Sequence, residues 1–158
     1  VAGQSLPNIF TTPFWVYFVV IGGCGSWLAL AILLIRSKSK QLRTVGKIGI
    51  VPTFFGISEP IIFGVPLMLN PIFFIPFIFG SVVNATIAYI LMDIGIIGKT
   101  FAMLSWQMPS IFGAFLSTMD IKAFLLIIVL IIIDILIYYP FFKIYEKQLV
   151  QQEISEEE

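Results

Sequence analysis

The sequence contains no histidine and a single cysteine, Cys24, among its 158 residues. Without an imidazole, a serine or cysteine nucleophile has no histidine base. One cysteine excludes an internal disulfide and a multi-cysteine metal site. The acidic residues form no metal-ligand cluster, and a phosphate-binding G-x-x-x-x-G-K-[ST] run is absent. We therefore expect no catalytic residue, no metal and no cofactor in this chain.

Charged residues are also scarce. They make up 11% of the chain, whereas hydrophobic residues make up 59%. Soluble globular domains are about a quarter charged, so this composition indicates a protein surrounded by membrane lipid. Lysine and arginine balance aspartate and glutamate at nine each. Because nucleic-acid binding needs a basic surface, no nucleic-acid partner is expected.

Three apolar segments, at about 14–35, 72–92 and 121–139, are long enough to cross a bilayer as helices. The first has no charged residue and would extend about 33 Å. The small residues of G-G-C-G-S (22–26) within it suit close packing of another helix, or a local opening of the helix near a ligand. These segments predict an all-α membrane protein.

Two shorter apolar runs, 48–57 and 61–69, lie between the first two spans and are separated by S-E-P. Each run is too short to cross the membrane alone. We therefore predict a re-entrant hairpin at about 48–70, which enters the membrane and returns. The alternative is one kinked helix that crosses the membrane and carries a buried glutamate.

Basic residues gather directly after the first span, as Arg36, Lys38, Lys40, Arg43 and Lys47. Cations beside a span mark the cytoplasmic side. Lys143 and Lys147 place the acidic tail, 143–158, on the same side, and we expect this polar tail to be frayed. Three spans and one hairpin then put the first residue of the chain outside the cell and the tail inside.

One carboxylate, Glu59, stands in strongly apolar sequence, with prolines at 60, 66, 71 and 76. An ionisable side chain at membrane depth costs roughly 3 kcal/mol or more, so it normally faces a polar cavity or partner. Prolines interrupt helices, and broken backbone in a bilayer survives only where it is buried in protein or lines a cavity. A carboxylate beside broken helices indicates the binding site of a transporter.

The neighbours of Glu59 suit a sugar ligand. A carboxylate can accept two hydroxyl hydrogen bonds, Ser58 adds a short donor or acceptor, and Gly56 lets main-chain groups approach a ligand. Trp106 offers a flat apolar face for a sugar ring. A position in the membrane interface or in the core would explain Trp106 equally well.

Asp93 and Asp134 are the other acidic residues near apolar segments. Together they could form the two-carboxylate site of an intramembrane aspartyl protease. Asp93 lies at the end of a predicted span, however, which favours an interfacial or capping role. Asp134 lies within its span, and we favour a structural contact with another helix.

The stretch G-I-S-E-P-I-I-F-G-V-P-L-M-L-N-P-I-F-F-I-P-F (56–77) resembles the membrane component, enzyme IIC, of bacterial sugar phosphotransferase systems. The stretches L-P-N-I-F-T-T-P-F (6–14), S-K-S-K-Q-L (37–42) and I-Y-Y-P-F-F-K-I-Y-E-K (137–147) agree with it. The resemblance is greatest for the lactose, cellobiose and diacetylchitobiose branch. Members of that family are longer, so residues 1–158 resemble a C-terminal, substrate-binding portion.

The resemblance implies a homodimeric permease of the bacterial plasma membrane that takes up a disaccharide or related β-glycoside. The dimer interface would lie in an N-terminal half outside this chain. A phosphocysteine on a separate component, enzyme IIB, would phosphorylate the sugar. Glu59 corresponds to the family's sugar-binding glutamate, and Trp106 to a tryptophan that stacks on the sugar.

Two departures from the family pattern affect the predicted site. The family usually reads N-I-N-E-P where this chain has G-I-S-E-P (56–60), so two amide side chains are replaced. After the tryptophan the family often has threonine, where this chain has Gln107. We count Gly56, Ser58 and Gln107 among the predicted sugar-binding residues. The particular sugar (cellobiose, lactose or diacetylchitobiose) stays open.

Two functions of other classes also stay open. One is a truncated structural or regulatory membrane module that binds no sugar. The other is an ion-coupled secondary transporter, in which Glu59 or Asp134 would carry a proton. The first would lack further spans upstream in its reading frame, and the second would import unmodified sugar with a pH gradient.

Overall fold

The computed structural model describes residues 8–21, 26–65, 70–105 and 107–157, and all regular secondary structure in these ranges is helical. The helices in order are α1 (Thr12–Phe14), a π-helical turn (Trp15–Val19), α2 (Trp27–Ile35), α3 (Lys40–Phe54), α4 (Glu59–Gly64), α5 (Pro71–Asp93), α6 (Ser110–Thr118) and α7 (Ile121–Glu157). The predicted all-α class is confirmed.

Two of these helices, α5 and α7, are long and apolar enough to cross a membrane. Helix α5 agrees closely with the predicted span 72–92. Helix α7 begins where the predicted span 121–139 begins, but it continues past Pro140 through the polar segment that was expected to be frayed. Two glutamates of this segment, Glu146 and Glu153, bond to the loop and first turn of α3.

The segment 14–35, predicted as a single helical span, is divided in the structure. The π-helical turn ends at Val19, and Val20 has non-helical backbone angles of φ −105° and ψ 65°. Ser26, directly before α2, adopts the left-handed conformation with φ 62°. Residues with a Cβ rarely adopt the left-handed conformation, and a residue in that conformation cannot continue a right-handed helix. Cys24 and the rest of 22–25 lie outside the described residues.

Helices α3 and α4 form an antiparallel hairpin. A Cβ at Gly49 would overlap Ile61 Cγ1, and a Cβ at Gly64 would lie 2.6 Å from Val45 Cγ1. These pairings run in opposite directions along the chain, so the alternative of one kinked helix is wrong. The hairpin includes helix from Lys40 onward, well before the predicted start at 48. Its entry into the membrane stays a prediction.

Helices α5 and α7 pack against each other, and α7 also packs against α2 and α6. One buried cluster surrounds the π-helical turn and includes Phe14, Tyr17, Phe18, Met92, Ile127 and Leu130. A second cluster joins α2 to the hairpin and includes Trp27, Leu34, Leu42, Ile61, Phe73 and Tyr138. The hairpin is therefore attached to the rest of the protein through α2, the start of α5 and the C-terminal half of α7.

Candidate functional site

The turn between α3 and α4 is built around Gly56. Its φ of +80° is strained for any residue with a Cβ. The Ile57 N–H donates to the Pro52 carbonyl at 2.9 Å, and the Gly56 N–H donates to the Thr53 carbonyl at 3.0 Å. This pair of bonds is a Schellman motif, which satisfies the last carbonyls of α3. Glycine at 56 thus has a backbone role in addition to the predicted approach of a ligand.

Ser58 and Glu59 follow directly and begin α4. Ser58 is 6% exposed, and its carbonyl accepts from the N–H groups of Ile61 and Ile62 at 3.0 Å each. Glu59 is the first residue of α4 and is exposed. Among the described residues its carboxylate accepts no hydrogen bond, so both oxygens are available to a ligand. The structure therefore brings Gly56, Ser58 and Glu59 together at one turn.

The other two predicted site residues precede α6. Gln107 is exposed in the turn before Pro109, and in the described part of the chain no hydrogen bond joins it to the α3–α4 turn. Trp106 lies outside the described residues. Its predicted stacking on a sugar, and the contribution of Gln107 to the same site, stay predictions.

Thr53 is a polar residue near this turn that the sequence reasoning missed. Its side chain is fully buried, and within the described ranges its Oγ1 has no hydrogen-bond partner. Buried hydroxyls are nearly always bonded, so this one marks an unsatisfied polar position beside the turn. In the sequence, Thr53 could have been noticed as a polar residue inside the apolar run 48–57.

A second buried polar group joins α5, α7 and the start of α2. The Asn84 Nδ2 donates to Asp134 Oδ2 at 2.8 Å and to Ser26 Oγ at 2.9 Å, and all three side chains are fully buried. Gly80, one turn before Asn84, makes room for the carboxylate, since a Cβ there would lie 3.2 Å from Asp134 Oδ1. This contact between helices is the role favoured for Asp134 from the sequence.

Asp93 does not pair with Asp134. It lies nine residues beyond Asn84, or about 14 Å along α5. Its side chain lines a cavity of about 310 Å³ together with Asn8, Ile9, Phe10, Tyr89 and Lys99. The pairing needed for an aspartyl protease is therefore not present. No residue of the α3–α4 turn lines this cavity.

Replacing Asn84 with leucine should lower the stability of the full-length protein by about 1–2 kcal/mol, because Asp134 would lose its bond from Asn84. The measurement is thermal unfolding in lipid nanodiscs. The double variant Asn84→Leu/Asp134→Leu should recover most of the loss, since it removes both polar partners. A single variant that unfolds at the parent temperature would contradict this structural role.

No group of three or more acidic, histidine or cysteine side chains in the described part of the chain could hold a metal ion. The site consists of one free carboxylate, Glu59, at a glycine-capped turn, with the buried Ser58 beside it. Such an arrangement can bind a polyhydroxylated ligand through hydrogen bonds, and it offers no nucleophile–base pair.

The sequence and structure are similar to known sugar permeases. The family model described as phosphotransferase system, EIIC, matches residues 1–81. The chain is 38% identical to the putative permease IIC component YwbA of Bacillus subtilis over 99% of its length, covering 36% of that protein. It is 39% identical to the lichenan permease IIC component of Bacillus subtilis, with 96% of this chain and 34% of that protein covered.

A lactose-specific EIICB component of Staphylococcus haemolyticus is 38% identical, with 99% of this chain and 27% of that protein covered. Among solved structures, the transporter ChbC, the IIC component of an N,N'-diacetylchitobiose-specific phosphotransferase system, superposes with a TM-score of 0.92 at 34% identity, covering 96% of this chain and 36% of that one. The chain thus spans about a third of the length of these proteins, and it belongs to the EIIC family, the membrane-embedded sugar permease component of the phosphotransferase system.

Proposed function

We propose that this chain supplies the substrate-binding part of a permease that takes up a disaccharide or related β-glycoside. The observation that carries the proposal is the free carboxylate of Glu59, exposed at the structured turn between α3 and α4. Because the chain spans about a third of its relatives, transport would be an activity of the full-length protein.

In this proposal the carboxylate of Glu59 accepts hydrogen bonds from two sugar hydroxyls, which are stronger than bonds between neutral groups. Ser58 and main-chain groups freed by Gly56 add further contacts. Trp106 stacks on the sugar ring, and Gln107 lies beside it. The α3–α4 hairpin is re-entrant and places this turn inside the membrane, where apolar surroundings strengthen each polar contact.

Phosphorylation would come from enzyme IIB, with which EIIC components work. The basic loop between α2 and α3 and the polar end of α7 would face the cytoplasm, and the N-terminal end of the chain would face outward. The protein would form a homodimer through a segment outside this chain. The sugar held at Glu59 would then be presented to the phosphocysteine of enzyme IIB on the inner side.

The names of the relatives mention lactose, lichenan and N,N'-diacetylchitobiose. Together with the resemblance to the lactose, cellobiose and diacetylchitobiose branch, these names lead us to propose cellobiose, lactose and diacetylchitobiose as the candidate sugars. Gly56 and Ser58 offer no amide side chain beside Glu59, so discrimination among these sugars would depend on other contacts.

The test is a titration of the purified full-length protein with these three sugars, followed by uptake into vesicles that contain phosphorylated enzyme IIB. We expect at least one sugar to bind and to accumulate inside as its phosphate. No binding would instead favour a structural module. Uptake of unmodified sugar driven by a pH gradient would favour an ion-coupled transporter.

A further inference from the structure

The first turn of α3 is capped by a carboxylate from the far end of the chain. Helix N-termini leave their first N–H groups without partners inside the helix. Here the Lys40 N–H donates to Glu153 Oε2 at 3.2 Å and the Gln41 N–H donates to Glu153 Oε1 at 3.1 Å. The third N–H group, that of Leu42, donates to Ser39 Oγ at 3.2 Å. The same hydroxyl donates to Glu153 Oε1 at 2.6 Å.

A second carboxylate of α7 holds the loop immediately before this turn. Glu146 Oε1 accepts from Ser37 Oγ at 2.8 Å and from the Lys38 N–H at 2.7 Å, and Oε2 accepts from Lys143 Nζ at 2.7 Å. Glu146 is only 4% exposed. Glu146 and Glu153 are seven residues apart, about 10.5 Å along one face of α7. They therefore form hydrogen bonds with the loop and the start of α3 at two successive points.

The loop itself is closed by further bonds. Arg43 Nε and Nη2 donate to the Ser37 carbonyl at 3.0 and 2.8 Å, and the Ser39 N–H donates to Ser37 Oγ at 3.1 Å. Ser37 and Ser39 are both fully buried. The loop is therefore a fixed connection between α7 and α3.

The other end of α3 is fixed to α4. Gly49 and Gly64 leave no room for a Cβ against Ile61 and Val45, so the two helices of the hairpin are in direct contact. Ile61 is completely buried in this contact, two residues after Glu59. Well-packed helices transmit displacement because they deform little. A shift at the start of α3 should therefore move Glu59.

We propose that Glu146 and Glu153 are positioning residues for the sugar site, because they fasten the hairpin that carries Glu59 to the C-terminal half of α7. This inference rests on the proposed sugar-binding function of Glu59. The acidic tail would then hold the hairpin in place, a role that the charge of the tail alone does not indicate.

The first test measures sugar affinity in the full-length protein carrying Glu146→Gln, which keeps the size of the side chain and removes its charge. We expect the Kd to rise about two- to thirtyfold, the range for residues that act through a packed network. Ser37→Ala should have a similar effect. Lys38→Ala is the matched control, since it keeps the N–H that bonds Glu146, and it should leave the Kd unchanged.

A positioning role also predicts coupling to Glu59. In a Glu59→Gln background, Glu146→Gln should weaken binding by a smaller factor than it does in the parent, because much of its effect acts through the removed carboxylate. A purely structural role would lower the number of active binding sites while the remaining sites kept the parent Kd. That result would overturn the inference, even if the parent protein binds sugar and Glu59→Gln weakens it.

Amide hydrogen exchange gives a readout that does not require sugar. Glu146→Gln and Ser37→Ala should speed exchange at residues 57–64, whereas Lys38→Ala should not. If the parent binds no sugar, the proposed function fails, and this measurement still shows whether α7 holds the hairpin. Faster exchange confined to the 37–39 loop and α7 would contradict the attachment.

Discussion

Replacing Glu59 with glutamine is expected to weaken sugar binding to the full-length protein about tenfold or more. Glutamine keeps the size of the side chain but removes its charge. A hydrogen bond to a charged group contributes roughly 1.5–3 kcal/mol, and about 1.4 kcal/mol corresponds to a tenfold change in Kd. Because the carboxylate accepts no bond from the described residues, its loss should leave the fold intact. The measurement is the Kd of the sugar that binds the parent.

Asp93→Asn is the matched control for this experiment. It makes the same chemical change at another exposed carboxylate, which lies at the end of α5 and lines a cavity that no residue of the α3–α4 turn lines. We expect it to bind sugar as the parent does. If Glu59→Gln also binds every sugar with the parent Kd, the carboxylate is not a sugar ligand and the proposed site is wrong.

Replacing Gly46 with alanine is expected to lower the free energy of unfolding of the full-length protein, and by more than Asn84→Leu does. A Cβ at this position would lie 2.7 Å from the Ile35 backbone nitrogen, 2.8 Å from Leu34 Cβ and 2.9 Å from the Leu34 carbonyl carbon. Two of these atoms belong to the main chain of α2, so the clash cannot be relieved by a side-chain rotation. Forcing atoms into such a contact costs about 1–3 kcal/mol or more.

The direction of the change in stability is informative, because replacing glycine with alanine would by itself stabilise a helix by about 0.8–1.0 kcal/mol. A net loss therefore means that the contact between α2 and α3 outweighs helix propensity. Thermal unfolding in nanodiscs measures it, with Lys47→Ala as a control on the exposed face of the same helix. A melting temperature equal to or above that of the parent would show that α2 and α3 are less closely packed than described.

The helices α5 and α7 were predictable because a long apolar run favours a helix long enough to cross a membrane, and such a helix needs no specific partner. The same reasoning failed for 14–35. Its composition is uniformly apolar, yet the backbone departs from helical geometry at Val20 and again at Ser26. Composition reports whether a segment prefers lipid, but it does not report where the main chain bends.

The candidate site was predictable in part for a similar reason. Glu59 stands out as a carboxylate in apolar sequence, and Gly56 and Ser58 lie next to it in the chain. Thr53 was missed because a threonine in an apolar run is unremarkable until its hydroxyl is found buried and unbonded. Gln107 is distant in sequence, and no local pattern determines whether it approaches the turn.

By itself, the sequence determined that this is an all-α membrane protein of the EIIC family with Glu59 as its prominent polar residue. These features depend on composition and on residues close together in the chain. The tertiary structure decided which polar groups meet: Glu146 bonds the Lys38 N–H across 108 residues, and Asp134 bonds Asn84 across 50. Such partners are chosen by helix packing, and separations of this size leave no periodicity or spacing in the sequence from which they could be read.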